Sequence, residues 1–277
     1  MRIKLCPPNH EHLLLFIAYL AYYRKLTFSA IKSYIYGVRD WALTEGRRDP
    51  TKGSGKQRHW YQKLLRGIKR ARTGKKRTRK PMKRKQLLRI LNATSYLSAE
   101  ESSCFKAALT LAFYGFLRVS EYTYSPANRT FLRRSDIKFS KAHLSVKLRK
   151  SKTDQFSKSV VRICGNNKLD CPVTHMKDYL RLNYNSKDSS LFIFRRKPLT
   201  PKIFNKVFRN LVHRSGLNPK NFSSHSLRSG AASTETECGV LEWLIQKLGR
   251  WKSGCYKIYI PDPKKAKFKA QLAMSNY

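Results

Sequence analysis

The sequence predicts a mainly α-helical chain with a small antiparallel β-sheet, an α+β arrangement in two parts. Apolar residues recur at helical spacing through most of the length, whereas one region near residues 136–164 alternates apolar and polar residues. A strongly basic run without apolar periodicity separates a first group of helices from the rest.

From residue 11 to about residue 43, two amphipathic helices are marked by Leu13, Leu14, Phe16, Ile17 and Leu20, then by Phe28, Ile31, Tyr34, Ile35, Val38, Trp41 and Ala42. They join near Leu26-Thr27-Phe28-Ser29, where a hydroxyl can cap the second helix. Gly46 to Gly55 reads as a loop from its Gly and Pro content, and Trp60 to Ala71 as a third helix with Leu64, Leu65 and Ile68 inward. The run from Lys69 to Lys85, broken by Gly74 and Pro81, reads as an exposed linker. Its cations Lys69, Arg70, Arg72, Lys75, Lys76, Arg77, Arg79 and Lys80 are candidates for crossing a DNA phosphate backbone. The same composition suits a nuclear localisation signal or a solvated charge run. The boundary placed here gives a helical domain over 1–74, a linker over 75–84 and a larger domain over 85–277.

Beyond the linker, Gln86 to Ala93 and Ser98 to Leu117 have helical spacing, and the second is apolar enough to form the centre of a core. Three strands follow, at Asp136 to Phe139, His143 to Arg149 and Ser159 to Cys164, with a polar turn between the last two. Helical segments return near Val173 to Asn183, Pro201 to Ser215, Ser226 to Cys238 and Val240 to Leu248.

The 277 residues carry 59 Lys and Arg against 16 Asp and Glu, a net charge of +43. Such a charge opposes compaction by self-repulsion and calls for a polyanionic partner, nucleic acid foremost. Charge alone would equally suit a ribosomal-type or packing protein, so the task must come from particular residues. No apolar run approaches the length of a membrane span, and the start lacks the apolar core of a signal peptide, so the reading is a soluble, non-secreted protein. The six cysteines form no metal-spaced cluster and read as free thiols; no metal and no cofactor is expected.

Chemistry concentrates in four places. Gly115-Phe-Leu-Arg118-Val-Ser-Glu121 sets an arginine at the end of the most apolar helix, with Glu121 three residues on to orient it; alone, Arg118 could simply reach solvent along its stem. His225-Ser-Leu-Arg228 puts a proton-transfer group and an anion-holding group on one helix face. Gly249-Arg-Trp251 precedes Tyr256-Lys-Ile-Tyr259, and a phenol oxygen can attack phosphorus and stay covalently bound. Ser151-Lys152-Thr-Asp154 lies, beside Lys150, in the polar strand-connecting turn.

In this order the motifs resemble the tyrosine recombinase, or phage integrase, family over nearly the whole chain. The wording Ser-Lys-Thr-Asp, His-Ser-Leu-Arg-Ser-Gly-Ala-Ala and Gly-Arg-Trp-Lys-Ser is most similar to recombinases of eukaryotic DIRS-like retroelements. The resemblance implies a helical core-binding domain and a catalytic domain that close on double-stranded DNA as a clamp. It also implies a homotetramer on DNA, without membrane association, and a nuclear location in a eukaryote or a cytoplasmic one beside the chromosome otherwise. The activity implied is strand breakage and rejoining through a 3′-phosphotyrosine, without metal or ATP. Arg118 and Arg228 would neutralise the phosphate, His225 accept the phenol proton and Lys152, or else its competitor Lys150, protonate the leaving oxygen. Trp251 would donate one hydrogen bond or merely pack. Spacing from Trp251 in similar members favours Tyr259 over Tyr256 as nucleophile. The tail from Lys264 to Met274 would dock on a neighbouring protomer. Two alternatives remain: a DNA-binding protein of this fold without turnover, and a monomeric topoisomerase-like relaxer.

Overall fold

Two units, Met1–Arg77 and Thr78–Tyr277, divide the chain in the computed structural model, which describes residues 9–72, 79–126, 131–149, 159–183, 189–259, 272 and 274. The first unit is helical. Asn9 caps α1 (His10–Ala18) by accepting from the His12 N–H at 2.8 Å, and a π-helical turn, Tyr19–Tyr23, extends it. Thr27 caps α2 (Phe28–Thr44) as its position predicts, and α3 (Gly55–Arg72) starts earlier than the expected Trp60. The core is Leu13, Ile17, Leu20, Ala21, Ile31, Ile35 and Ile68; each Leu or Ile so buried contributes roughly 1.5–3 kcal/mol over exposure. Tyr34 and Trp41, expected inward, are 51% and 39% exposed. Periodicity defines a helix face, but α2 fully buries only Ile31, Ile35 and Ala42, with Phe28 and Val38 partly covered beside them.

The second unit is built around α5 (Ala99–Tyr114), which Ser98 caps and which is buried on nearly every side. Around it stand α4 (Arg84–Asn92), α6 (Val119–Tyr122), α7 (Pro172–Leu182), α8 (Pro201–Arg214), α9 (Ser224–Glu237) and α10 (Glu242–Leu248). An antiparallel sheet of order β1-β2-β3 (Ile137–Phe139, His143–Lys147, Val160–Cys164) covers one side, with Leu144 opposite Ile163 and both buried. A hairpin, β4 (Ile193–Phe194) with β5 (Lys197–Pro198), was not anticipated. Its turn residues Arg195 and Arg196 both have positive φ, a turn that Asn-Gly ordinarily signals. Among the described residues no helix is long and apolar enough to cross a membrane.

The expected linker ends sooner than residue 84. The Lys80 N–H donates to Asn221 O at 2.7 Å, the Met82 N–H to Ser226 O at 2.9 Å, and the Met82 side chain is fully buried. Gly230 permits this approach, since a Cβ there would lie 1.8 Å from Met82 O. Arg84 then forms a two-pronged ion pair with the fully buried Asp170, which also accepts from Tyr114 Oη at 2.7 Å. Burial raises the Asp170 pKa, but the hydrogen bonds from Arg84 and Tyr114 outweigh it and hold the carboxyl below its usual range.

Candidate active site

Two helix-ending turns meet beneath the site. After α5 the chain passes through Phe116 at φ +51°, which ends the helix before the expected Leu117; after α10 it passes through Arg250 at φ +54°. A side-chain-bearing residue in this region costs about 1–2 kcal/mol, so the turns need external support. Arginines supply it. Arg228, from α9, donates Nη1 to Phe116 O and Nη2 to Gly249 O, and so ties one turn to the other. Arg250 donates to Gly115 O at 3.1 Å and to Phe116 O at 3.2 Å.

Arg118 is the N-cap of α6, not the last residue of the long helix. Its backbone N–H donates to Glu121 Oε2 at 2.9 Å and its Nη1 to Glu121 Oε1 at 2.9 Å. The Glu121 side chain is buried and accepts a third bond, from Arg250 Nη2 at 2.9 Å, while the Arg118 side chain keeps 20% exposure. Arg118 is thus held from below and open above.

Arg228 is closed off, with no exposure at all. The Trp251 ring lies over its guanidinium, 4.5 Å from the ring centroid, a cation–π contact strengthened by burial. Gly249 allows the ring to fold back, for a Cβ there would fall 1.7 Å from Trp251 Cζ3. Burial, then the neighbouring Arg118, pushes the Arg228 pKa down to about 9, and it remains a cation at neutral pH. The expected direct contact of Arg228 with a phosphate is not available in this state: both Nη atoms face carbonyls, and the Nε is buried without a partner.

His225 lies one helical turn before Arg228 on α9, and a short 3₁₀ helix, Gly254–Tyr259, packs against the same helix. His225 Nε2 is 2.7 Å from Tyr259 Oη. Ser233 Oγ donates to Tyr259 O at 2.6 Å and fixes the end of the 3₁₀ helix. Burial, with Arg228 and Arg118 adding to it, lowers the His225 pKa, so the imidazole stays neutral and able to accept a proton. Burial and the nearby Cys255 raise the Tyr259 pKa against the opposing pull of Arg228 and Arg118, so at rest Tyr259 is a phenol. Tyr256 is buried against Trp251 within the core, whereas Tyr259 is half-buried.

Arg118, Glu121, His225, Arg228, Trp251 and Tyr259, predicted from separate motifs, therefore come together in one place. Lys152 and its competitor Lys150 lie outside the described residues, as do Lys75, Lys76, Arg77 and nearly all of the tail from Lys264. Lys69 and Arg70 are exposed on the last turn of α3, and Lys80 is exposed in the second unit. Arg79 is exposed as well, while its Nη1 donates to Lys220 O at 2.6 Å and Phe222 O at 3.2 Å. Arg250 joins the site through Glu121, and nothing local in the Gly249-Arg-Trp251 motif shows that it does so. Among the described residues no group of His, Cys, Asp or Glu side chains converges to hold a metal ion.

Residues 80–260 match the Phage integrase family, about two thirds of the chain. Among curated proteins no sequence relative matches. Solved structures share the fold at low identity. The XerH site-specific recombinase bound to a palindromic difH substrate, in a post-cleavage complex, aligns with TM-score 0.67 and 15% identity over 96% of this chain and 70% of that one. The Tn1549 transposon integrase in complex with circular intermediate DNA gives TM-score 0.64 and 13% identity over 98% and 88% of the two chains. A lambda integrase dimer bound to a COC′ core site gives TM-score 0.54 and 17% identity over 91% and 64%. With its matched span taking in the arginines, the histidine and the tyrosine of the site, this chain belongs to the phage integrase family, the tyrosine recombinases.

Proposed function

We propose that this protein binds double-stranded DNA and breaks and rejoins its strands through a covalent intermediate on Tyr259. The observation that carries the reading is the 2.7 Å approach of Tyr259 Oη to His225 Nε2 beside Arg118 and Arg228. A phenol with a pKa raised above its usual 10.0 needs a base, and a neutral imidazole at hydrogen-bond distance is one. Tyr259 Oη attacks the scissile phosphorus and its proton passes to His225 Nε2. The bond from phosphorus to the 5′-oxygen breaks, leaving a 3′-phosphotyrosine and a 5′-hydroxyl, with Lys152 as the proton donor to that oxygen. Attack by a 5′-hydroxyl from the same or another strand reverses the step.

Charge builds on the nonbridging oxygens during attack, and Arg118, oriented by Glu121, is the guanidinium placed to meet it. Arg228 acts through its charge from beneath, and direct contact would require its Nη atoms to leave Phe116 O and Gly249 O. Guanidinium groups in these positions supply the positive field that phosphoryl chemistry needs, so the reading calls on neither metal nor ATP. The net charge of +43, the family and the DNA-bound neighbours support duplex DNA as the partner; exchange within a homotetramer is part of the same proposal. The motif wording supports a place near DIRS-like retroelement recombinases, and with it a nuclear setting.

The test is covalent trapping on a randomised duplex pool carrying bridging 5′-phosphorothiolates, whose sulfur leaves without protonation and cannot return efficiently. The expected result is a protein–DNA adduct in the wild type and none in Tyr259→Phe. DNA binding with no adduct would instead establish a binding protein without turnover. Supercoil relaxation by a monomer that never joins separate duplexes would establish the relaxer.

A further inference from the structure

Arg118 faces an electrostatic problem. Its partner Glu121 is a buried carboxylate, and a one-to-one pair of opposite charges at about 3 Å presents almost no net field to a phosphate above it. The structure adds a second cation to the same carboxylate: Arg250 Nη2 donates to Glu121 Oε2 at 2.9 Å, on the oxygen opposite the one that Arg118 Nη1 holds. Arg228 lies within electrostatic reach of all three groups. Three guanidiniums and one carboxylate leave a net charge of +2, equal and opposite to the two negative charges on a five-coordinate phosphorus dianion.

We propose that Arg250 is a positioning residue for strand cleavage, taking up part of the Glu121 charge so that Arg118 is both oriented and left cationic toward the phosphate. This rests on the cleavage reading above and deepens it. In this role Arg250 acts through Glu121 and not by touching the phosphate. Its Nη atoms are engaged by Gly115 O, Phe116 O, Leu248 O and Glu121, its Nε is buried, and its side chain is 17% exposed. The same bonds brace the turn at Phe116, so a structural role and an electrostatic role are superposed and the experiment must separate them.

Two substrates do so. From the duplex selected by covalent trapping, one version keeps the natural scissile phosphate and the other replaces one nonbridging oxygen by methyl, giving an uncharged methylphosphonate. Single-turnover adduct formation is measured at saturating DNA for the wild type, Arg250→Met and Arg250→Lys, with DNA affinity measured alongside. On the charged phosphate, Arg250→Met should slow adduct formation on the order of tenfold to a hundredfold with affinity changed less than about threefold, and Arg250→Lys should recover most of the loss. On the methylphosphonate the Met variant should fall within about threefold of the wild type, because there is less developing charge to stabilise. Equal losses on both substrates, or equal losses for Met and Lys, overturn the proposal and leave Arg250 a brace for the turn. If Arg250→Met does not fold, the Lys variant decides: a loss that is the same on both substrates overturns the proposal, and one confined to the charged phosphate supports it. A wild type that forms no adduct with any duplex overturns the cleavage reading itself, and this proposal with it.

Discussion

The arginine half of the site and the tyrosine half are held in different ways. Arg228 and Arg250 sit below the surface, where their hydrogen bonds close two turns against each other and help define the end of α5, the central helix of the unit. Tyr259 sits on a six-residue 3₁₀ helix, attached at its end by one bond from Ser233 and by its own contact with His225. The difference teaches that the cationic field comes with the folded core, whereas the nucleophilic hydroxyl stands at the half-buried end of a short segment that Tyr256 anchors in that core. Stability and chemistry should therefore be coupled in one half and separable in the other.

The sharpest separation should come from comparing Arg228→Ala with Tyr259→Phe. Arg228→Ala removes a buried cation, takes one donor each from Gly249 O and from Phe116 O, which keeps only its bond from Arg250, and opens a cavity under Trp251. It should cost about 3 kcal/mol in chemical denaturation as well as about a thousandfold in adduct formation. Tyr259→Phe should abolish the adduct while changing stability by less than about 1 kcal/mol, because only a half-buried hydroxyl is lost. A large stability loss in Tyr259→Phe would break the distinction between the halves.

Acidity should act on the tyrosine half next. His225 must be neutral to accept a proton, and its pKa lies below the ordinary 6.5 because of burial, then Arg228 and Arg118. Cleavage should therefore hold steady down through pH 6.5 and decline only below it, by about tenfold per pH unit. A single-turnover pH profile checks this; an acid limb centred above pH 7 would mean that His225 is not the base. Smaller still, Ser233→Ala should slow cleavage by about threefold to tenfold without a measurable change in stability, since it frees the Tyr259 carbonyl and little else.

The sequence made much of this readable because its signals were local. Thr27 and Ser98 cap the helices they precede, alternation placed the three strands, and each catalytic motif among the described residues lies on or beside one element. What stayed hidden depends on residues distant in sequence. The linker composition gave no sign that Arg79 would bind the carbonyls of Lys220 and Phe222, or that Met82 would rest on Gly230. Tyr34 and Trp41 fit a helical stripe, but how much of that stripe is covered depends on neighbours that periodicity does not describe. The Arg195-Arg196 turn lacks the Gly or Asn that would have announced it, and Arg250 finds Glu121 across 129 positions of chain.

The central claim is that Tyr259, deprotonated by His225, is the residue that becomes joined to DNA. Trapping the wild-type adduct on a phosphorothiolate duplex, digesting protein and DNA, and locating the nucleotide remnant by peptide mass spectrometry tests it directly. The account requires the remnant on Tyr259; a remnant on Tyr256, or on any residue other than Tyr259, would contradict it.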